Sequence, residues 1–180
     1  MIEERGRTIL LGLAFLSLLI LSSIENTFFF SVLGEVLSNH FLAVAMLFIH
    51  NVLVISLILL GMTFYVNLVV LDFFKEEKYA FIVLDHSRVF AFVFTIVIIL
   101  LSILRGSSLL GGISVEALPL ILVISAPIGI VEGYGIYLTI EKTLRRAMTT
   151  RYLSYIYSIF LVAAMMEVGF INLLISIAAS

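Results

Sequence analysis

The sequence predicts an all-α membrane protein, a bundle of about five transmembrane helices that forms a single domain over residues 1–180. Three observations support this: 63% of the residues are hydrophobic, only 12% are charged, and the mean hydropathy is +1.27. Soluble globular domains carry about 25% charged residues. Half that proportion cannot cover the surface of a soluble protein of this size, so we expect the remaining apolar surface to face lipid.

Composition also excludes several classes of function. The chain has no cysteine, which rules out disulfides and thiolate metal sites. The net charge of -2 gives no reason to expect a nucleic-acid partner. The sequence has no HExxH zinc motif, no GxSxG elbow and no glycine-rich phosphate loop with a lysine. We therefore expect no catalytic residues, no cofactor and no metal site.

The spans follow from the length of the apolar segments. A bilayer core about 30 Å thick needs a helix of about 20 apolar residues. Such segments occur at approximately 8–33, 41–71, 89–104, 116–140 and 152–179.

Two of these spans leave alternatives open. The first either continues to residue 33 or stops at Ser23, followed by a short interfacial helix over 27–37. The second holds 31 residues without Lys, Arg, Asp or Glu, which is about 46 Å as one helix. It is either one long helix that protrudes into the cytoplasm or a helix broken near Gly61, including a re-entrant bend.

The basic residues favour five crossings of the cell membrane, with the N-terminus in the cytoplasm and the C-terminus outside. This topology leaves only Arg105 outside. The other nine basic residues are then cytoplasmic: Arg5, Arg7, Lys75, Lys78, Arg88, Lys142, Arg145, Arg146 and Arg151. Such an excess of positive charge inside is what the positive-inside rule predicts. If residues 41–71 formed two full crossings, the best topology would put seven basic residues inside and three outside.

Five polar residues fall within the predicted spans. They form a candidate intramembrane polar site: His50, Asn51, Asn67, Glu132 and Glu167. An acidic residue at the centre of a span costs roughly 2.5–3.5 kcal/mol on insertion scales, so it usually has a role. One interpretation is a polar track that carries ions or protons. The other is that these side chains bond across helices and lock the bundle.

The fourth span carries a stripe of small residues. Ser125, Gly129 and Gly133 recur every four residues and form a candidate helix-packing face, like that of a GxxxG motif. Pro127 cannot donate a hydrogen bond to the carbonyl four residues back, so we expect a kink there. The stripe predicts a homo-oligomer or contact with other membrane proteins, and the basic segment 141–151 predicts contact with anionic lipids.

Two stretches resemble sequences of the stage II sporulation protein M family of small integral membrane proteins. The family has a span with a paired Asn-Asn or similar and a glycine about ten residues later. It also has a Pro-His-Gly-x-x-Glu-Leu-Pro type motif. The similar stretches here are His50-Asn51 followed by Gly61, and Pro127-Ile128-Gly129-Ile130-Val131-Glu132.

The resemblance carries over Asn51, Pro127, Gly129 and Glu132. The family's histidine is Ile128 here, Gly133-Tyr134 replaces the Leu-Pro, and His50 replaces the first asparagine. These departures put any site chemistry in doubt. The resemblance implies that the chain is a non-enzymatic scaffold or assembly subunit of a membrane complex. The alternative is a small channel or transporter for an ion, proton or small solute that uses the intramembrane carboxylates.

Overall fold

The computed structural model describes residues 2–36, 39–70, 78–109 and 118–178. Within these residues every element is an α-helix and there is no strand. In chain order the helices are α1 (Ile2–Val36), α2 (His40–Val70), α3 (Lys78–Asp85), α4 (Ser87–Leu109), α5 (Leu118–Leu144) and α6 (Thr150–Ala178).

The five long helices coincide with the five predicted segments, and two of the open alternatives are resolved. The helix α2 is continuous through Gly61, so this segment is one long helix. The helix α1 is likewise continuous through Ser23 to Val36 and has no separate interfacial piece. The polar residues after Ser23 do not end α1, because Glu25 finds a partner on α2. The short helix α3 directly precedes α4, and residues 71–77 lie outside the described residues.

The helix α2 lies at the centre of the bundle. It packs most extensively against α1 and also contacts α5 and α6, whereas α4 packs mainly against α5. The α1–α2 turn lies at one end of the bundle, which we call the upper end. The α5–α6 turn lies at the opposite, lower end.

Glycine and phenylalanine fix the approach of α1 to α2 in a reciprocal way. A Cβ atom at Gly61 would lie 2.9 Å from Cε2 of Phe15, and one at Gly12 would lie 3.1 Å from Cε2 of Phe64. Each helix thus places a ring over a glycine of the other. On the other side of the bundle, Gly135 accepts the ring of Phe160 from α6 in the same manner.

The apolar core consists of two clusters, one towards each end of the bundle. The upper cluster joins α1, α2 and α6 through Phe29, Val36, Ala43, Leu47, Ala164 and Val168. The lower cluster joins α2, α4, α5 and α6 through Ile55, Val66, Ala91, Ile136, Ile140, Leu144, Ile156 and Phe160. On α2, the partly buried side chain of Phe48 packs against both clusters.

Two helix ends at the lower turn are capped by local hydrogen bonds. Beyond Leu144, the N–H groups of Arg146 and Ala147 donate to the carbonyls of Thr143 and Lys142, which is a Schellman motif. Arg146 adopts a left-handed φ of 53° there. Thr149 then caps α6, because its hydroxyl accepts the N–H of Tyr152. The two caps keep the α5–α6 connection short.

Many apolar side chains remain exposed on the outside of the bundle. They follow α1 from Ile9 to Ile24 and α4 from Val89 to Leu101. Among the described residues, two segments are long and apolar enough to cross a membrane: all of α2, and α6 over Thr150–Asn172. Shorter apolar stretches occupy Ile9–Glu25 and Ser87–Leu101.

Candidate functional site

Four helices bring polar side chains to nearly the same depth in the middle of the bundle. Helix rise puts His50 and Glu25 about 15 and 17 Å from the upper ends of α2 and α1, respectively. By the same measure, Glu132 and Glu167 lie about 21 and 17 Å from the upper ends of α5 and α6. We call this group the polar layer: Glu25, His50, Asn51, Glu132 and Glu167.

The first contact in the polar layer joins α1 to α2. Nδ1 of His50 lies 2.9 Å from Oε2 and 3.2 Å from Oε1 of Glu25, and the two side chains are 19% and 18% exposed. When the carboxylate is ionised, the imidazole donates this hydrogen bond. Phe29 stacks on the imidazole with 4.5 Å between the ring centroids. The histidine is therefore held between a carboxylate and an aromatic ring.

The second contact joins α2 to α5. Nδ2 of Asn51 donates a long hydrogen bond of 3.4 Å to Oε1 of Glu132. Successive residues point about 100° apart around a helix, so α2 turns His50 towards α1 and Asn51 towards α5. Two adjacent residues of α2 thus contact two different helices, α1 and α5.

Glu167 adds a second carboxyl group on α6, the helix that packs against α5. The side chains of Glu132 and Glu167 are both partly buried, and their carboxyl groups lie within the range of electrostatic interaction. Among the described residues, none donates a hydrogen bond to the carboxyl group of Glu167. The neighbouring carboxyls repel each other when both are ionised, and a proton or a cation between them would remove that repulsion.

Asn67 does not join the other predicted polar residues. It lies 16 residues beyond Asn51 on the same helix, which is about 24 Å towards the lower end. The structure therefore pairs Asn51 with Glu132 and His50 with Glu25, places Glu167 on the adjoining helix α6, and leaves Asn67 apart.

The small-residue stripe on α5 is not packed uniformly. Gly133 contacts α4, since a Cβ atom there would lie 2.8 Å from Cδ1 of Ile99. At Gly129 a Cβ atom would meet nothing within 4 Å. The side chain of Ser125 lies outside the described residues. The helix α5 is continuous through Pro127.

Gly129 instead lines an open groove between α4 and α5, which we call the α4–α5 groove. Its volume is about 570 Å³ and its walls are almost entirely apolar. Its walls include Phe92, Ile96 and Leu100 of α4 and Gly129, Ile130 and Tyr137 of α5.

A second charged group lies at the lower end of the bundle, around Glu141. This side chain is 4% exposed, and its carboxylate oxygens lie 2.8 Å from Nη1 of Arg145, 3.0 Å from Nζ of Lys142 and 3.8 Å from Nε of Arg88. We call these four residues the Glu141 cluster. Burial acts to raise the pKa of Glu141, but hydrogen bonds and charge from Arg145 and Lys142 outweigh it and hold the pKa below its ordinary value.

Sequence reasoning missed two partners, Glu25 for His50 and Arg88 for Glu141. A signal for the first exists in the chain. Residues 37–38 separate α1 from α2, and Glu25 and His50 are equally far from that turn along the sequence. Two antiparallel helices bring such equidistant residues to the same level. No comparable signal indicates Arg88, because α4 and α5 are joined through residues outside the described part of the chain.

The polar layer can take up and release a proton. It offers carboxyl groups, an imidazole and an amide within an otherwise apolar interior. Among the described residues there is no group of three or more His, Cys, Asp or Glu that could hold a metal ion.

Comparisons of the chain with family models, with curated proteins and with solved structures gave no match. The resemblance to the stage II sporulation protein M family therefore stays a prediction, and the function is argued from the site.

Proposed function

We propose that the chain is a multi-pass membrane protein in which α1, α2, α4, α5 and α6 cross the bilayer. Their exposed apolar side chains would face lipid, because a soluble monomer rarely exposes contiguous apolar surface on this scale. The lower end of the bundle lies in the cytoplasm, where the positive-inside rule puts the basic residues around the α5–α6 turn. The N-terminus is then cytoplasmic and the C-terminus is outside.

Within this bundle, the polar layer binds and transfers a proton or a small cation, so the protein acts as a small channel or transporter. The observation that supports the proposal is that two partly buried carboxyl groups, Glu132 and Glu167, lie at mid-depth on helices in contact, and that Asn51 donates a hydrogen bond to Glu132. Ionisable side chains at this depth are costly and usually mark ion or proton pathways. The hydrogen-bonded pairs alone would be enough to hold the helices together. A purely structural role therefore does not explain the second carboxyl group, that of Glu167.

Flux through proteoliposomes tests this proposal. The purified chain is reconstituted, and proton, sodium and potassium flux is measured under a pH gradient or voltage. Glu132→Gln and Glu167→Gln should each abolish the wild-type flux, because each removes one carboxyl group of the pair. Glu35→Gln, which changes an exposed glutamate near the upper end of α1, is the matched control and should leave flux unchanged.

Absence of any flux in correctly folded wild-type protein would contradict the transport function. Flux that persists in both Glu132→Gln and Glu167→Gln would also contradict it.

The second candidate function is a scaffold or assembly subunit of a membrane complex, in accord with the family resemblance. The observation that favours it is the pairing of side chains across helices, Glu25 with His50 and Asn51 with Glu132. Such interhelical bonds average about 0.6 kcal/mol and serve to fix helices in register. If this is the function, cross-linking in native membranes should capture a specific partner protein while all flux measurements are negative.

A further inference from the structure

The α4–α5 groove ends at the Glu141 cluster, and together the two features have the parts of a lipid site. Phe92 and Tyr137 form the lower part of the groove. Arg88 precedes Phe92 by one helical turn, and Glu141 follows Tyr137 by one turn, so each lies about 6 Å further down. The ion pair between Arg88 and Glu141 therefore spans the lower mouth of the groove.

The charge at this mouth is positive and accessible. In the Glu141 cluster three positive side chains surround one negative side chain, which leaves a net charge of +2. The carboxylate is buried, while the side chains of Arg88 and Arg145 are 73% and 46% exposed. A guanidinium group carries five N–H donors, and its contact with Glu141 leaves donors that can reach a second acceptor.

Lys142 has a different role in this cluster. Its side chain is 20% exposed, and its Nζ lies 3.0 Å from Glu141 and 5.0 Å from the ring centroid of Tyr152. It is thus held between α5 and α6. Glu141 in turn anchors the two arginines at the mouth of the groove, which reduces the entropy that a ligand would otherwise have to remove.

We infer that the α4–α5 groove and the Arg88–Arg145 pair bind an anionic phospholipid of the cytoplasmic leaflet. An acyl chain lies in the apolar groove beside Gly129, and the phosphate accepts hydrogen bonds from the two guanidinium groups. Complementary charge at the mouth selects an anionic headgroup, as basic pockets between transmembrane helices do. This inference rests on the membrane placement proposed above and does not depend on ion transport.

Native mass spectrometry of the full chain in mild detergent tests the inference. The protein is titrated with palmitoyl-oleoyl phosphatidylglycerol and, separately, with palmitoyl-oleoyl phosphatidylcholine. We expect the wild type to bind the phosphatidylglycerol preferentially. Each positive charge near a membrane surface is worth about 1 kcal/mol, so Arg88→Gln and Arg145→Gln should each weaken phosphatidylglycerol binding about fivefold. Arg151→Gln is the matched charge control, because it removes an exposed positive charge of the segment 141–151 outside the groove, and it should weaken phosphatidylglycerol binding less than either variant.

The groove is tested with Gly129→Leu, because an added Cβ atom there meets nothing within 4 Å and the longer side chain would occupy the groove. It should lower the occupancy of both lipids severalfold. Gly169→Leu is the matched control, since Gly169 is exposed on α6 and also has nothing within 4 Å of its added Cβ. Circular dichroism confirms that each variant is folded, and Arg145→Lys restores binding in part if charge is the cause.

Equal affinity for the two lipids, or phosphatidylglycerol binding unchanged by Gly129→Leu and by both arginine variants, would overturn the inference. Failure of this proposal is distinguishable from failure of the transport function. Lost lipid selectivity with intact flux removes only the lipid site. Selective binding without flux removes only the transport function.

Discussion

A single buried carboxylate organises the lower end of the bundle. Glu141 accepts hydrogen bonds from Lys142 and Arg145 on its own helix and pairs with Arg88 at the start of α4. A buried charge left without partners costs several kcal/mol, so the three cations are what make its burial acceptable. Glu141 lies just beyond the predicted fourth span, so we expect its ionisation to respond to the pH of the adjoining water.

We expect Glu141→Gln to destabilise the protein at neutral pH by about 1–2 kcal/mol, a value kept small because Arg88 and Arg145 are screened by solvent. The pKa of Glu141 is lowered in the folded state. The stabilisation is therefore complete above the unfolded pKa of about 4.3 and is lost as the pH falls through the lower, folded pKa. Thermal unfolding of the two proteins, followed by circular dichroism between pH 7 and pH 3, measures the difference.

The difference in stability between wild type and variant should be constant down to about pH 5 and shrink below about pH 4.3. Glu35→Gln serves as control, because that residue is exposed. A difference that stays constant to the lowest pH, or that grows, contradicts the assigned role of Glu141.

At the level of elements, the α1–α2 hairpin is organised about its turn. The pairs Glu25–His50, Phe15–Gly61 and Gly12–Phe64 all join residues that are nearly equidistant from residues 37–38. Each pair places a large or charged side chain where the other helix offers room or a partner. The register of the hairpin is thus fixed at three levels between Gly12 and Glu25 of α1.

We expect Gly61→Ala to destabilise the hairpin by about 1–3 kcal/mol, because the new methyl group would lie 2.9 Å from the ring of Phe15 and force the helices apart. Gly129→Ala is the matched control. Its added methyl group meets nothing within 4 Å, so the higher helix propensity of alanine should leave stability equal or raise it by about 0.5–1 kcal/mol. Thermal unfolding in the same detergent compares the two.

Adding Phe15→Leu to Gly61→Ala should recover part of the loss if the ring causes it. Equal effects of the two alanine substitutions would contradict the close approach of α1 to α2 at Gly61.

The positions of the helices could be predicted from the sequence because apolar runs of sufficient length are directly visible in it. The continuity of α2 at Gly61 could not be predicted, because an isolated glycine inside a helical pattern is compatible with a continuous or a broken helix. The ring of Phe15 decides it by packing on the glycine. Likewise, Ser125, Gly129 and Gly133 share a face by spacing alone, but only the packing of α4 distinguishes the covered Gly133 from the open Gly129.

At the scale of the whole molecule, the polar layer lies at mid-depth and takes its side chains from four of the five long helices. The depth of Glu132 and Glu167 along their helices could be predicted from the sequence. The neighbours of each carboxyl group could not be predicted, because they depend on how α5 and α6 rotate about their axes.

The central claim is that Glu132 and Glu167 form a site for a proton or a small cation within the bilayer. The most direct test is labelling with dicyclohexylcarbodiimide, an apolar reagent that reaches carboxyl groups inside membranes and reacts with their protonated form. The reconstituted full chain is treated, and the modified glutamates are identified by peptide mass spectrometry. We predict modification of Glu132 or Glu167 but not of Glu35, with less modification when the pH or the concentration of a bound cation is raised. Modification of neither glutamate, or labelling that responds to neither pH nor any monovalent cation, would contradict the account.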